Sequence, residues 1–279
     1  MLKIAIDAGH GLKTAGKRCM KALDPNETRE WVMNSRIAEK LEDLLKDYEC
    51  EVLRTDDKTG KTDPALSTRC KKANDFKADV FISIHHDAGL NGKKGGGTTV
   101  FYYSSKAERK AQAQAFYNSV IAKTKLAGNR SSKVQKKAFA VLKGTDAPAF
   151  LIENGFMDSP SDVPIILSDA HADKTAAGLL DFLIDEFKLK KKAAATKPAA
   201  TKETTAKKET ASAAFTPYLA KITASVLNVR AGAGLTYKVN TTVRKNEVYT
   251  IVDAKNGWGK LKSGAGWISL NYTKKLRNV

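Results

Sequence analysis

The sequence predicts an α/β fold with a mostly parallel sheet covered by helices, followed by a linker and a small all-β barrel. Over residues 1–187, short apolar runs alternate with longer stretches at helical spacing, the pattern of strands joined by crossover helices. Residues 188–214 lose apolar periodicity and are dominated by Ala, Thr and Lys, a composition that builds no core and that like charges keep extended. Residues 215–279 return to short β-branched runs parted by Gly- and Asn-containing turns, the pattern of a small barrel.

Strands are expected at 2–7, 51–54, 79–85, 98–103, 139–142 and 148–153. Val80, Ile82 and Ile84 alternate with their neighbours, which marks a strand buried on at least one face. Helices are expected near 28–48, 65–77, 106–125 and 169–187. Ile37, Leu41, Leu44 and Leu45 share one face of the first, and Leu179, Leu180, Leu183, Ile184 and Phe187 one face of the last. Gly95-Gly96-Gly97 reads as a loop before the fourth strand. Strands of the barrel are expected at 224–229, 247–252, 258–261 and 266–268.

The formal net charge of +18 is unevenly spread. Lys and Arg number 29 against 26 acids over residues 1–187, 8 against 2 over 188–214, and 11 against 2 over 215–279. The basic field therefore belongs to the C-terminal third, where it attracts polyanions: nucleic acid, acidic membrane, or the teichoic acids of a Gram-positive wall. No nucleic-acid-reading motif accompanies that charge, so a nucleic-acid partner is not expected. Cys19, Cys50 and Cys70 are odd in number and lack a C-x-x-C spacing, which argues against a disulfide framework and for synthesis in a reducing compartment. Met1-Leu2-Lys3-Ile4 runs straight into the first strand with no signal-peptide pattern. No apolar run approaches the ~20 residues that span a bilayer, so membrane insertion is not expected. Work outside a cell would then need another means of release.

Chemistry enters with two histidines at strand ends. Ile4-Ala5-Ile6-Asp7-Ala8-Gly9-His10-Gly11 places His10 after one apolar strand, and Val80-Phe81-Ile82-Ser83-Ile84-His85-His86 ends another. Two imidazoles and one carboxylate, with a position left for water, form one version of a catalytic zinc site. The carboxylate is expected from Glu27 or Glu30, where the first helix opens. Glu153 finishes the apolar run Ala149-Phe150-Leu151-Ile152, where a carboxylate is costly unless paired or at a cleft, and sheet edges of this kind carry sites in α/β enzymes. Glu153 is the expected general base.

These residues resemble a known family. Asp7-Ala8-Gly9-His10-Gly11, Ser83-Ile84-His85 and Leu151-Ile152-Glu153-Asn154-Gly155-Phe156 are similar, in the same order, to motifs of the zinc-dependent N-acetylmuramoyl-L-alanine amidases of the Amidase_3 family. Leu53-Arg54-Thr55 and Leu66, Arg69, Ala73 and Asn74 support the resemblance, which covers about residues 1–187. The family's Glu lies eight residues before the Ala of an Ile-Ala pair and four before an Asn; Glu30, Asn34 and Ile37-Ala38 match that spacing and Glu27 does not. The resemblance thus implies Zn2+ on His10, Glu30 and His85. His86-Asp87 departs from the pattern, which more often has a small residue and an Asn there. Residues 226–232 and 264–269 resemble the opening and closing strands of bacterial SH3 domains, which implies attachment to a cell wall.

Other candidates read more plainly. Glu27 is expected as a solvated acid in the first turn of its helix, His86 as a cleft or surface neighbour, and His171 at the surface. Arg54 and Arg69 are expected to pair with carboxylates at the sheet edge. Asn154 is open between orienting substrate and closing a turn. The cysteines are expected as small apolar fillers, Trp258 and Trp267 as barrel core, and Tyr237 and Tyr272 as exposed aromatics. The expected whole is a peptidoglycan hydrolase that cuts between N-acetylmuramic acid and L-alanine of the stem peptide. The first reading is a phage endolysin, made in the host cytoplasm and acting on the wall after release. The alternatives are a sporulation autolysin of the same activity and a zinc peptidase cutting the stem peptide.

Overall fold

Residues 1–192 and 215–279, apart from 225, 235, 236 and 256, are described in the computed structural model of the chain. The chain divides into two compact units, 1–197 and 198–279.

The first unit opens with β1 (Leu2–Ala8), then α1 (Glu30–Leu45), β2 (Cys50–Arg54), α2 (Leu66–Asp75) and β3 (Val80–Asp87). It continues with β4 (Thr98–Tyr102), α3 (Ala107–Thr124), β5 (Val134–Lys136), α4 (Ala140–Lys143), β6 (Ala149–Phe156), α5 (Val163–Ile166) and α6 (Asp169–Phe187). Its six-stranded sheet runs β2-β1-β3-β6-β4-β5. All neighbours pair in parallel except β4 and β6, which run antiparallel.

Side chains alternate between two apolar layers, as strand geometry requires. Ile4, Ile6, Ile82, Ile84, Phe150 and Ile152 pack with Ile37, Leu41, Phe116, Leu179 and Phe182 of α1, α3 and α6. Ala5, Phe81 and Leu151 point the other way, onto Cys70, Ala73, Val141 and Leu142 of α2 and α4. Phe116, Phe150 and Phe182 form an aromatic knot with ring centroids 4.7–5.7 Å apart.

The structure corrects several expectations. Residues 139–142 form no strand: Phe139 is the extended N-cap of the single turn α4. Four residues are too few to show a helical period, and the adjacent apolar pair Val141-Leu142 mimics a strand. β5 carries one apolar residue, Val134, and therefore gives no strand signal. Glu27 does not enter the first turn of α1. It precedes the helix with a left-handed φ of 47° and pairs with Arg18 at 3.2 Å. Residues 188–192 stay with the first unit, where Leu189 is in the core and Lys190 O accepts from Glu49 N at 2.8 Å. The remainder of the stretch read as a linker, 193–214, lies outside the described residues.

In the second unit, strands β7 (Tyr218–Ile222), β8 (Val226–Arg230), β9 (Val239–Arg244), β10 (Val248–Lys255), β11 (Trp258–Leu261), β12 (Trp267–Ser269) and β13 (Thr273–Asn278) form one antiparallel sheet in the order β13-β7-β10-β11-β12-β8-β9. Ala220, Ile222, Leu227, Val229, Val243, Ile251, Leu261 and Ile268 make its core. Trp258 and Trp267 are half-buried and stand outside that cluster, contrary to expectation; aliphatic side chains make up the core. Tyr237 is exposed, as expected, whereas Tyr272 is half-buried against the core.

His171 is buried, not at the surface. It sits in the first turn of α6, where Ser168 Oγ accepts from its backbone N–H, on the helix face that continues through Ala172, Thr175 and Ala176. Burial is the largest influence on its imidazole and pushes its pKa from 6.5 down to about 4, against the nearby Asn154 backbone, which favours the charged form. The unfolded chain therefore takes the proton first as pH falls, and stability declines between pH 6.5 and about 4. In urea unfolding, His171→Gln should remove about 2 kcal/mol of the stability that the parent loses between pH 7 and pH 5; an unchanged pH slope would contradict this account.

Candidate metal centre

The C-terminal ends of β1, β3 and β6 lie side by side, because β3 pairs with β1 on one edge and β6 on the other. Parallel register sets His85 opposite Glu153, and β4 brings Thr99 opposite Glu153 from the far side. His10 follows β1 on a turn that requires a left-handed φ of 67°. Glu30, the first residue of α1, reaches the same point from the helix layer.

His10 Nε2 lies 3.3 Å from Glu30 Oε2, and His85 Nδ1 lies 3.1 Å from Glu30 Oε1. The two imidazoles meet edge to face, with centroids 4.9 Å apart. One donor atom from each of the three residues lies within 4.8 Å of the other two, so the cluster is able to hold a metal ion. Two ligands about 2.0–2.1 Å from a tetrahedral zinc are about 3.3 Å apart, close to the spacing seen. The donor chemistry fits as well. Glu30 is fully buried, and its Oε2 has no hydrogen-bond partner among the described residues. A buried carboxylate oxygen in that state needs a cation.

The surrounding residues hold these donors in place. Asn34, one turn along α1, donates to Gly9 O at 3.1 Å and to Glu30 Oε1 at 3.4 Å. The His86 backbone N–H also donates to Glu30 Oε1, at 3.2 Å. Burial would raise the Glu30 pKa, but the adjacent imidazoles of His10 and His85 outweigh it and hold the group below the carboxylate range. Lys17 Nζ stands 3.8 Å from Glu30 Oε2.

Beneath the His10 turn is a buried ion pair. Arg69 Nη1 contacts Asp7 Oδ1 at 2.5 Å and donates to Ala8 O at 3.0 Å, while Nη2 donates to His10 O at 3.1 Å and Asp63 Oδ1 at 2.8 Å. Asp7 also accepts from Thr55 and Ser83 hydroxyls. Burial opposes ionisation of Asp7, yet Arg69 and these bonds keep its pKa low. Arg54 is likewise paired, with Asp56 and Glu42.

Glu153 faces the cluster beside His85, and its Oε2 is buried without a partner. Its pKa is raised well above the carboxylate range by burial first, then by the charges of Glu30 and Asp87; Lys17 and Arg130 oppose this. A carboxyl lifted in this way suits a group that takes up and returns a proton.

His86 is not a cleft or surface residue. Side-chain alternation turns it to the opposite face from His85, where it is buried and its Nδ1 lies 2.7 Å from Asn34 Oδ1. Burial, then the neighbouring His171, pushes its pKa down to about 3. Asn154 is also fully buried and donates to His85 O at 3.1 Å, so it holds the β3 backbone. Cys19 is buried near the site, and burial pushes its thiol up to about 12, leaving it unreactive.

Two contributors were given no role by the sequence reading, although Gly9 stands within the Asp7–Gly11 motif. Gly9 admits the His85 ring: a Cβ there would lie 2.0 Å from His85 Cε1. Arg130, on a loop remote in sequence, pairs with Asp87 at 3.1 Å, donates to Thr99 Oγ1 at 3.3 Å and lies over the Phe156 ring.

The family model of N-acetylmuramoyl-L-alanine amidases, Amidase_3, matches residues 4–185, which take in the sheet apart from the first two residues of β1 and all of the cluster just described. The chain belongs to the Amidase_3 family. A bacterial SH3 domain model matches residues 225–274, within the second unit. Among Amidase_3 relatives, the "Probable cell wall amidase LytH" of Staphylococcus epidermidis is 32% identical over 186 residues, 66% of this chain and 58% of that protein. The chain thus spans under two thirds of that relative's length. The "Endolysin" of Bacillus phage SPP1 is 29% identical over 196 residues, 69% of each chain. The solved catalytic domain of CwlV, an N-acetylmuramoyl-L-alanine amidase from Bacillus (Paenibacillus) polymyxa var. colistinus, is 26% identical, superposes with a TM-score of 0.60, and is covered completely by 68% of this chain.

Two predictions test how the centre is held. Gly9→Ala should weaken zinc uptake about 10- to 100-fold in a competition titration, with circular dichroism unchanged, because the added methyl displaces the His85 ring. Arg69→Met should cost about 3–5 kcal/mol in urea unfolding by stranding the Asp7 charge, and adding Asp7→Asn should recover part of that loss.

Proposed function

We propose that the chain is a zinc-dependent peptidoglycan hydrolase that cleaves the amide joining the lactyl group of N-acetylmuramic acid to L-alanine of the stem peptide. The observation that carries this is the convergence of His10, Glu30 and His85 beside Glu153 at one sheet edge in an Amidase_3 chain. His10, Glu30 and His85 would hold the zinc. When bound, it would supply Lewis-acid polarisation of the scissile carbonyl and acidify water. Glu153 then takes a proton from the attacking water and returns it to the departing L-alanine amine. Asn34, Arg69 and Gly9 keep the donors still while that exchange occurs, and Asn154 fixes the strand that carries His85.

The three-part organisation expected from the sequence, catalytic 1–187, linker 188–214 and wall-binding 215–279, belongs to the same proposal, with 188–192 packed on the catalytic part. The second unit holds the enzyme on a Gram-positive wall, which raises local substrate concentration without adding contacts at the catalytic edge. Synthesis in a host cytoplasm and release through a damaged membrane fits a phage endolysin, in keeping with the endolysin relative. A sporulation autolysin would use the same chemistry. No helix among the described residues is long and apolar enough to cross a membrane.

Turbidity loss of purified walls, with and without chelator, tests the proposal, and mass analysis of the fragments identifies the bond. A free muramic lactyl carboxylate with a new L-alanine amino terminus supports the amidase; cleavage within the stem supports the peptidase. Glu153→Gln should lower kcat about 10²- to 10⁴-fold with zinc binding retained. Lysis as fast as the parent's would remove Glu153 from its role.

A further inference from the structure

The second unit carries 11 Lys and Arg against two acids over residues 215–279. Both acids have local partners. Glu247 accepts from Arg244 N and Tyr249 Oη, and Asp253 lies opposite Lys260 across β10 and β11. The remaining cations are not spread evenly. In register, Lys274 of β13 stands directly opposite Lys221 of β7, which in turn stands opposite Val248 of β10. In the next outward row, Arg277 stands opposite Leu219, Leu219 opposite Thr250, and Lys262 N donates to Thr250 O. Ala220, Ile222 and Ile251, at the alternate positions, are fully buried in the core, so these two rows form the outer face of the sheet.

That face presents Lys221, Lys262, Lys274 and Arg277 with no acid among them, and none of the four is in an ion pair among the described residues. A like-charged pair directly across two strands destabilises the sheet unless an anion shares it. Lysine on an edge strand has another use, as a guard against edge-to-edge pairing. This accounts for Lys274 on β13 but not for Lys221 on the interior strand β7 or Lys262 beyond β11. The two rows lie two residues apart along the strands, about 7 Å. They suit an extended chain with a charge on each repeat better than a single small anion. Between the cations the face offers Leu219, Val248 and Thr250 and no aromatic ring, so bases have nothing to stack on.

We propose that this outer face of β13, β7 and β10, with Lys262, docks a phosphodiester-linked polyol polymer of the Gram-positive wall. The inference rests on the wall-hydrolase reading above and adds a second ligand, distinct from the peptide and glycan that the catalytic edge engages.

The test uses the full chain in co-sedimentation with two preparations of the same walls, one intact and one stripped of phosphodiester polymers by hydrofluoric acid. The parent should bind intact walls at least tenfold more tightly than stripped ones, and the difference should shrink as salt rises. The triple variant K221Q/K274Q/R277Q should lose that difference. A control with equal charge loss elsewhere, K238Q/K255Q/K245Q, should keep it, and thermal unfolding should show both variants folded. Equal binding of the parent to both wall preparations overturns the proposal. So does equal loss in the control, or tighter binding to duplex DNA or to anionic phosphatidylglycerol vesicles than to intact walls. Amide cleavage on stripped walls is measured in parallel. Cleavage with no binding preference sinks only the docking face, whereas absence of cleavage in the zinc-loaded chain sinks the hydrolase reading.

Discussion

Three neighbouring parallel strands, each turning alternate side chains to opposite faces, govern where everything else in the first unit lies. Because β1, β3 and β6 are adjacent and in register, the residues that close them emerge together at one edge. The constraint is strict, since a slip of one residue sends a side chain through the sheet. His85 and His86 show it directly: one joins Glu30 and His10, and its neighbour is buried against Asn34 on the other side. Sheet geometry, more than imidazole chemistry, selects which histidine meets the carboxylate.

Several buried charges at that edge serve one arrangement. Arg69 ties Asp7, Ala8 and His10 into a single network below the first turn, and Asn34 links Gly9 to Glu30 above it. Such groups are costly to bury singly and stable only when each lone pair is met. Glu30 Oε2 and Glu153 Oε2 are among the buried atoms left without a partner among the described residues, and the charge of Glu30 acts directly on Glu153. One unmet oxygen suits a cation; the other, with its raised pKa, suits a proton. The surroundings of the two carboxylates thereby shift their ionisation in opposite directions.

The two units divide the electrostatic work. Residues 1–187 are nearly balanced in charge, and the charged groups at the sheet edge are met by local partners. The β unit is strongly basic, has a small aliphatic core, and carries a sheet face without acids. A basic field of this kind attracts polyanions by its charge alone, whereas Glu30 and Glu153 are set apart by the groups in contact with them.

From the residues alone, the alternation of strand and helix, the metal-ligand types and their order along the chain were legible, because each rests on local spacing or on side-chain chemistry. The helices at 30–45 and 169–187 carry apolar periods long enough to read. Where a segment is too short for a period, as at 139–142 or in β5, local pattern has nothing to measure. The choice between Glu27 and Glu30 needed the resemblance, since both stand near a helix start. Only the tertiary structure decided which polar residues are buried. His86 and His171 look like surface residues in sequence, yet His86 is buried against Asn34 of α1 and His171 lies on the buried face of α6. Gly9 and Arg130 matter through a close approach and a long-range contact, both set by chain segments far apart in number. Local chemistry names the donors; only the packing of remote segments brings them within reach of one ion.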